Sequence, residues 1–202
     1  MKRFIQYVAE AAEKHGVLAF GRMNPPTAGH EQVVNKVHEV AKKHNATHTV
    51  VLSHSQDAKK NPLDVAAKVK HAKHAFPGTN IVGASKESPT ILHHAAEMHK
   101  AGVQHLHVVA GSDRKEEMHT LLHKYNGVKA GHGHYNFKSI TVHSSGERDP
   151  DAEGTSGISA TKMREHAAAG REKEFSAGLP SKMKSEHKKA LYHDLRKAMG
   201  HD

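Results

Sequence analysis

Apolar and polar positions along the chain change period several times. Phe4, Ile5, Val8, Ala11 and Ala12 fall on one face of a 3.6-residue repeat and predict a helix near the start. Val17 to Phe20 is then an unbroken apolar run of strand length. Val33, Val34, Val37, Val40 and Ala41 return to helical spacing, and Thr49 to Leu52 is β-branched and apolar, a second strand. Asn61-Pro62 reads as a helix cap followed by a first-turn proline, ahead of the face Val65, Val69, Ala72 and Phe76 that Pro77-Gly78 ends. Asn80 to Val82 is a short third strand. Ser88-Pro89 repeats the cap-and-proline signature before Ile91, Leu92, Ala95 and Met98. Leu106 to Ala110 is a strand, Met118, Leu121, Leu122 and Tyr125 a helical face, and Ile140 to Val142 a fifth strand. A further helix starts near Ser159, and Met183, His187, Ala190, Leu191, Leu195 and Ala198 mark a C-terminal amphipathic helix.

Strand and helix thus alternate about five times. Parallel strands need crossover helices, so the alternation predicts an α/β fold: a Rossmann-like, doubly wound parallel sheet of about five strands with a C-terminal helical extension. The expected organisation is one domain over 1–178, with its core at 17–169, followed by the helix in 179–202. Ligands of such sheets sit beyond the strand C-terminal ends. That rule places the loops 21–30, 53–61 and 110–114 on one edge.

Composition narrows the partners. The net charge is +9 with histidine neutral and the pI about 9.6, which favours anions: nucleotides, phosphorylated metabolites or nucleic acid. Cysteine is absent, which excludes a disulfide scaffold and thiolate chemistry and fits a reducing compartment. The start of the chain, with Glu10 and Glu13 and no long apolar run, is not a signal peptide, and no later segment is apolar enough to span a membrane. A cytoplasmic location is expected. The 22 histidines are scattered and show no tag-like run. His93-His94 and the alternating His132 and His134 are the nearest to a metal pattern, but without cysteine or a further spaced ligand they read as surface residues, and no metal ligand is assigned.

Two stretches carry chemistry. In FGRMNPPTAGHE, Gly21 permits close backbone approach, Pro25 and Pro26 stiffen the turn, and Gly29-His30 stands where a helix begins, so N–H groups and the helix dipole face whatever lies beyond the strand. That suits a phosphate; the same letters also fit a rigid loop capped by Thr27. In GISATKMREHAAAG, Ser159 and Thr161 flank a helix start with Lys162 and Arg164 in its first turns. Hydroxyls, N–H groups and cations together make a polyphosphate cradle, while an ordinary serine cap with surface cations is the plainer alternative. SHSQDAKKNPL adds Lys59 and Lys60 after the second strand. AGSDR adds Gly111, Asp113 and Arg114 after the fourth, where Asp113 with Glu116 also reads as a capping box. The acidic GERDPDAEGTSG holds Arg148, which either closes over a nucleotide or pairs with its neighbours.

TxGH after a first strand, with a late ISxTxxR, resembles the nucleotidylyltransferase superfamily of the HxGH motif, and the fuller spelling is similar to its small bacteriophage-encoded members. The match runs from Val17 to Ala169. It departs at Thr27, which stands where the motif has its first histidine. The resemblance implies transfer of a nucleoside monophosphate from a triphosphate to a phosphorylated small-molecule acceptor, with release of pyrophosphate. Thr27 and His30 would contact the α-phosphate region. Gly21, Arg22, Met23 and Gly29 would border the nucleotide, with Gly111, Asp113 and Arg114 near it. Ser159, Thr161 and Arg164 would hold the outer phosphates, and Lys59 or Lys60 the acceptor phosphate. Mg²⁺ would be held mainly through the triphosphate. AMP transfer from ATP is favoured by the TxGH spelling, while GISAT is similar to cytidylyltransferases and keeps CTP open. Relatives often self-associate, so a homo-oligomer stays open. A basic nucleic-acid-binding protein on the same fold is the remaining alternative, suggested by Lys182, Lys184, Lys188 and Lys189 but short of aromatic stacking platforms.

Overall fold

The computed structural model describes residues 13–146 and 158–201. Five strands form one sheet: β1 (His15–Gly21), β2 (Thr47–Leu52), β3 (Ile81–Gly83), β4 (His105–Ala110) and β5 (Ser139–Ser144). All pair in parallel, in the order β3-β2-β1-β4-β5. The helices are α1 (Glu31–Lys43), α2 (Val65–Ala75), α3 (Ile91–Lys100), α4 (Lys115–Lys124), α5 (Ala160–Ala168), α6 (Glu172–Ala177) and α7 (Ser185–Ala198). This is the doubly wound α/β architecture that the alternation of periods implies. The helix expected around Phe4 to Ala12 and the role considered for Arg148 lie outside the described residues.

β1, β2 and β4 carry apolar residues on both faces because both faces are covered, while β5 at the edge buries Ile140 and Val142 on one face. Val17, Ala19, Val50, Leu52 and Val109 pack into a cluster with α1, α2 and the C-terminal helices. Leu18, Val51, Leu106, Val108, Ile140 and Val142 pack on the other side under α3 and α4. Each fully buried Val, Leu or Ile contributes about 1.5–3 kcal/mol, so the alternation is enough to hold the two layers on the sheet. From α7, Leu191, Tyr192 and Leu195 are buried in the first of these clusters, and Arg196 of the same helix donates to the carbonyl of Ala167 at 2.6 Å. Among the described residues no helix is long and apolar enough to cross a membrane.

Three expected caps fall elsewhere. The cap of α2 is Asp64, whose side chain accepts from the N–H of Ala67 at 2.7 Å. Asn61 stands three residues before that cap, and its amide Nδ2 donates to Asp57 at 2.6 Å. Thr90, not Ser88, precedes α3; the Ser88 hydroxyl donates to Glu97 at 3.3 Å. Asp113 and Glu116 do not form a capping box: Asp113 lies inside a 3₁₀ turn, Ser112–Arg114, and α4 starts only at Lys115.

Candidate functional site

The strand order reverses on either side of β1, between β2 and β4. At such a switch the loops leaving adjacent strands turn to opposite faces and open a crevice. A cleft of about 630 Å³ lies there, within the size range of small-molecule sites. The loop after β1 lines it with Gly21, Arg22, Met23, Gly29 and His30; the loop after β2 with Lys59 and Lys60; the loop after β4 with Gly111, Asp113 and Arg114. Ser145 and Gly146 follow from β5, and Ser159, Thr161 and Arg164 from the start of α5. The residues expected to contact a nucleotide or its acceptor are all in this lining except Thr27, and Lys162 of the expected cradle also stands outside it.

Thr27 is fully buried. It occupies the N-cap of the 3₁₀ turn Ala28–His30, which runs into α1. Its backbone N–H donates to His30 Nδ1 at 3.0 Å, and its Oγ1 stands 3.0 Å from the same nitrogen. A backbone N–H can only donate, so Nδ1 is the acceptor and the ring carries its N–H on Nε2. Thr27 Oγ1 also reaches the carbonyl of Ile158 at 3.4 Å, tying the first loop to the segment that enters α5. Thr27 thus orients His30 and does not itself face the cleft.

Arg164 makes the second tie. Its Nη1 donates to the backbone carbonyl of Asn24 at 2.8 Å and its Nη2 to Thr161 Oγ1 at 3.1 Å, which fixes the guanidinium at the mouth of the first loop. Burial, and then the nearby Arg22, lower its pKa, so two guanidiniums share one region. Ser159 caps α5 by accepting from the N–H of Lys162 at 3.1 Å. Its hydroxyl is thus a cap, and the residue also lines the cleft.

Sequence reasoning passes over the residues that shape the loops. Asn24 is buried and bridges two of them: its amide donates to the Leu63 carbonyl at 2.9 Å and its Oδ1 accepts from the Leu63 N–H at 3.1 Å. Asp57 gathers the lysine turn, its Oδ1 accepting from the N–H groups of Lys59 at 3.0 Å and Lys60 at 2.7 Å. These donors, the Lys60 N–H first, pull its carboxyl down to about 2. Aspartate two and three residues before the N–H groups it binds is an Asx turn, the one signal that was there to find. Lys68 of α2 is fully buried and donates to the carbonyls of Ser53 and, at 3.3 Å, Ser55; burial pushes it down to about 8. Met23 has φ +42° with its side chain in the core, an uncommon backbone state for a non-glycine residue. Met23 also borders the cleft. A Cβ on Gly111 would lie 2.6 Å from Asp113 Oδ1, so a larger residue there would turn that exposed carboxylate aside.

The lining is strongly cationic, with Arg22, Lys59, Lys60, Arg114 and Arg164 against the carboxylate of Asp113. Such a surface, with hydroxyls and a fixed imidazole, is suited to a multiply charged anion. The histidines read as surface residues are partly buried: His94 and His132 lie in the interior, while the rings of His93 and His132 meet edge to face at 6.5 Å, and neither of these two belongs to a three-ligand group among the described residues.

The sequence matches no protein-family model and no curated protein. Solved structures with the same fold include Thermotoga maritima TmcAL in its apo form, 11% identical with a TM-score of 0.52, covering 93% of this chain and 57% of that one. They also include Thermotoga maritima TmcAL bound with alpha-thio ATP, 13% identical with a TM-score of 0.50, covering 92% and 56%. The chain spans somewhat more than half the length of these neighbours, and the likeness is one of fold.

Proposed function

We propose that this protein is a nucleotidylyltransferase that transfers a nucleoside monophosphate, AMP by preference, from a nucleoside triphosphate to a phosphorylated small-molecule acceptor. The observation that carries the reading is the convergence of two anion-binding segments, around His30 and around Arg164, on one cationic cleft at the switch point of the sheet. A solved structure of like fold, TmcAL, is bound with alpha-thio ATP, which adds support for a nucleotide in such a cleft.

In this reading an acceptor oxygen attacks the α-phosphorus in line, the bond to the β-bridging oxygen breaks, and pyrophosphate leaves. His30, oriented through Nδ1, donates from Nε2 to the α-phosphoryl oxygens as charge builds there. Arg164, Thr161 and the first turn of α5 hold the outer phosphates. Gly21, Arg22, Met23 and Gly29 lie along the nucleotide, with Gly111, Asp113 and Arg114 beyond. Lys59 and Lys60 bind the acceptor phosphate. The protein supplies position and electrostatics, with no covalent intermediate. Mg²⁺, neutralising phosphate charge, fits a lining whose described carboxylate is Asp113 alone: it would be carried chiefly by the triphosphate.

The test is pyrophosphate release with each of the four triphosphates and a panel of phosphorylated acceptors. His30→Ala is expected to lower turnover by about 10²–10³ while the circular dichroism spectrum and melting temperature stay near those of the parent. Full turnover in that variant would refute the proposal. CTP in place of ATP as the active triphosphate would keep the reaction and reassign the base. Salt-sensitive retention of DNA or RNA without any pyrophosphate release would favour the nucleic-acid-binding alternative.

A further inference from the structure

Away from the cleft, histidines gather at the opposite end of the strands. His15 opens β1, His105 opens β4, His107 lies two residues further along β4, and His44 is the C-cap of α1. The pairing of β1 with β4 sets His15 beside His105. The rings stack: His44 on His107 with centroids at 4.1 Å, His15 on His44 at 5.1 Å, and His15 on His105 at 4.6 Å. His105 is committed elsewhere, to Glu13 at 2.6 Å and to Ser139 at 2.7 Å.

We propose that His15, His44 and His107 form a binding site for one divalent late first-row transition metal, with Zn²⁺ as its representative. The three come from three different elements, and each offers a ring nitrogen within 4.8 Å of the other two. His15 Nδ1 and His107 Nε2 are 3.0 Å apart. Two nitrogens bound at 2.0–2.1 Å to a tetrahedral zinc stand roughly 3.3 Å apart, so this pair is already near the spacing a shared ion imposes. The other nitrogen of His107, Nδ1, lies 3.0 Å from His143 Nε2, which gives the most buried ligand an outer partner to hold its ring. An all-imidazole set suits zinc, copper, nickel or cobalt and disfavours Mg²⁺ and Ca²⁺, which take oxygen. Three protein ligands leave a fourth position for water. The ion would pin the end of α1 to β1 and β4, at the far end of the sheet from the cleft, so its expected effect is on stability.

Chelator-treated, dialysed full-length protein is titrated with Zn²⁺ by calorimetry, and its melting temperature is followed in the same series. One tight site per chain and a raised melting temperature are expected, with no response to Mg²⁺. His44→Ala alters a part-exposed helix cap and is the primary variant; His15→Gln is the second, in case either change disturbs the fold by circular dichroism. Each should weaken the tight site by more than about 100-fold, since even outer-shell partners of metal ligands are worth about 10–100-fold. His93→Ala, at a histidine outside the group, should leave it unchanged. Absence of a tight site in the parent, unchanged affinity in both variants, or loss of the site in His93→Ala would each overturn the proposal.

Discussion

A histidine can aim one nitrogen only when something else holds the other. Thr27 does this for His30 through its backbone N–H and its hydroxyl, each 3.0 Å from Nδ1. The same spacing recurs at the start of α3, where Thr90 Oγ1 lies 2.8 Å from His93 Nδ1. A threonine three residues before a histidine is therefore a local habit of this chain's helix starts. What separates His30 from His93 is its place at the switch point, which four letters cannot carry. Asp57 shows the same dependence of a cleft-lining turn on a neighbouring side chain. Without its carboxylate, the N–H groups of Lys59 and Lys60 lose their shared acceptor and the turn loses its shape. Asp57→Ala is expected to raise the acceptor KM by roughly an order of magnitude, with KM for the triphosphate little changed. Steady-state kinetics with each substrate varied in turn would check this. A fall in kcat alone would show that Asp57 does not act through the lysines.

At the scale of elements, the apolar runs predicted the strands to within one or two residues at their ends, because the buried stretch of each strand is where its apolar residues gather, while polar residues such as Thr47, His105 and Ser139 extend the strands beyond it. Helix starts were less legible. Asn61, Ser88 and Asp113 have the chemistry of caps, but each lies in a turn that either uses its side chain or delays the helix. Sheet order could not be read at all, since it depends on which crossover packs where. Gly178 belongs to this class of hidden element-level constraints. It ends α6, its carbonyl accepts from the N–H of Ala28 at 2.9 Å, and a Cβ on it would stand 2.3 Å from Met163 Sδ and 3.1 Å from Ile158 Cγ2. One glycine thus lets α6 approach α5 while bracing the turn that carries His30. Gly178→Ala is expected to cost about 1–3 kcal/mol through overpacking, measured by urea denaturation. It should also reduce turnover, because Ala28 is displaced. Unchanged stability would mean that Met163 yields without resistance.

Over the whole molecule, the sheet separates two histidine chemistries. One imidazole stands at the C-terminal ends of the strands with the cationic cleft, and a group of them at the N-terminal ends. His15 and His107 are 92 positions apart in sequence, and only the parallel pairing of β1 with β4 unites them, which is why a scan for spaced ligands finds nothing there. This concentration has a consequence for acid stability. Burial lowers the pKa values of His15, His48, His71, His74, His107, His132 and His143, and His107 reaches about 4. Neighbouring cations add to this: imidazoles around His15 and His107, Lys36 and Lys43 beside His143, and Lys70 beside His71 and His74. In the unfolded chain the same groups take up protons near the ordinary value of about 6.5. Between that value and about pH 4 the unfolded state binds more protons than the folded one, so stability falls as pH falls. The contribution is fully present above about 6.5 and is lost as pH drops through the folded-state values. In chelator, to keep metal from holding the rings neutral, the melting temperature is expected to be level above about pH 7 and to fall steeply towards pH 4. His107→Asn, an uncharged replacement, should shallow that fall. A melting temperature independent of pH across this window would show that the histidines titrate alike in both states and that their burial imposes no cost on the charged form.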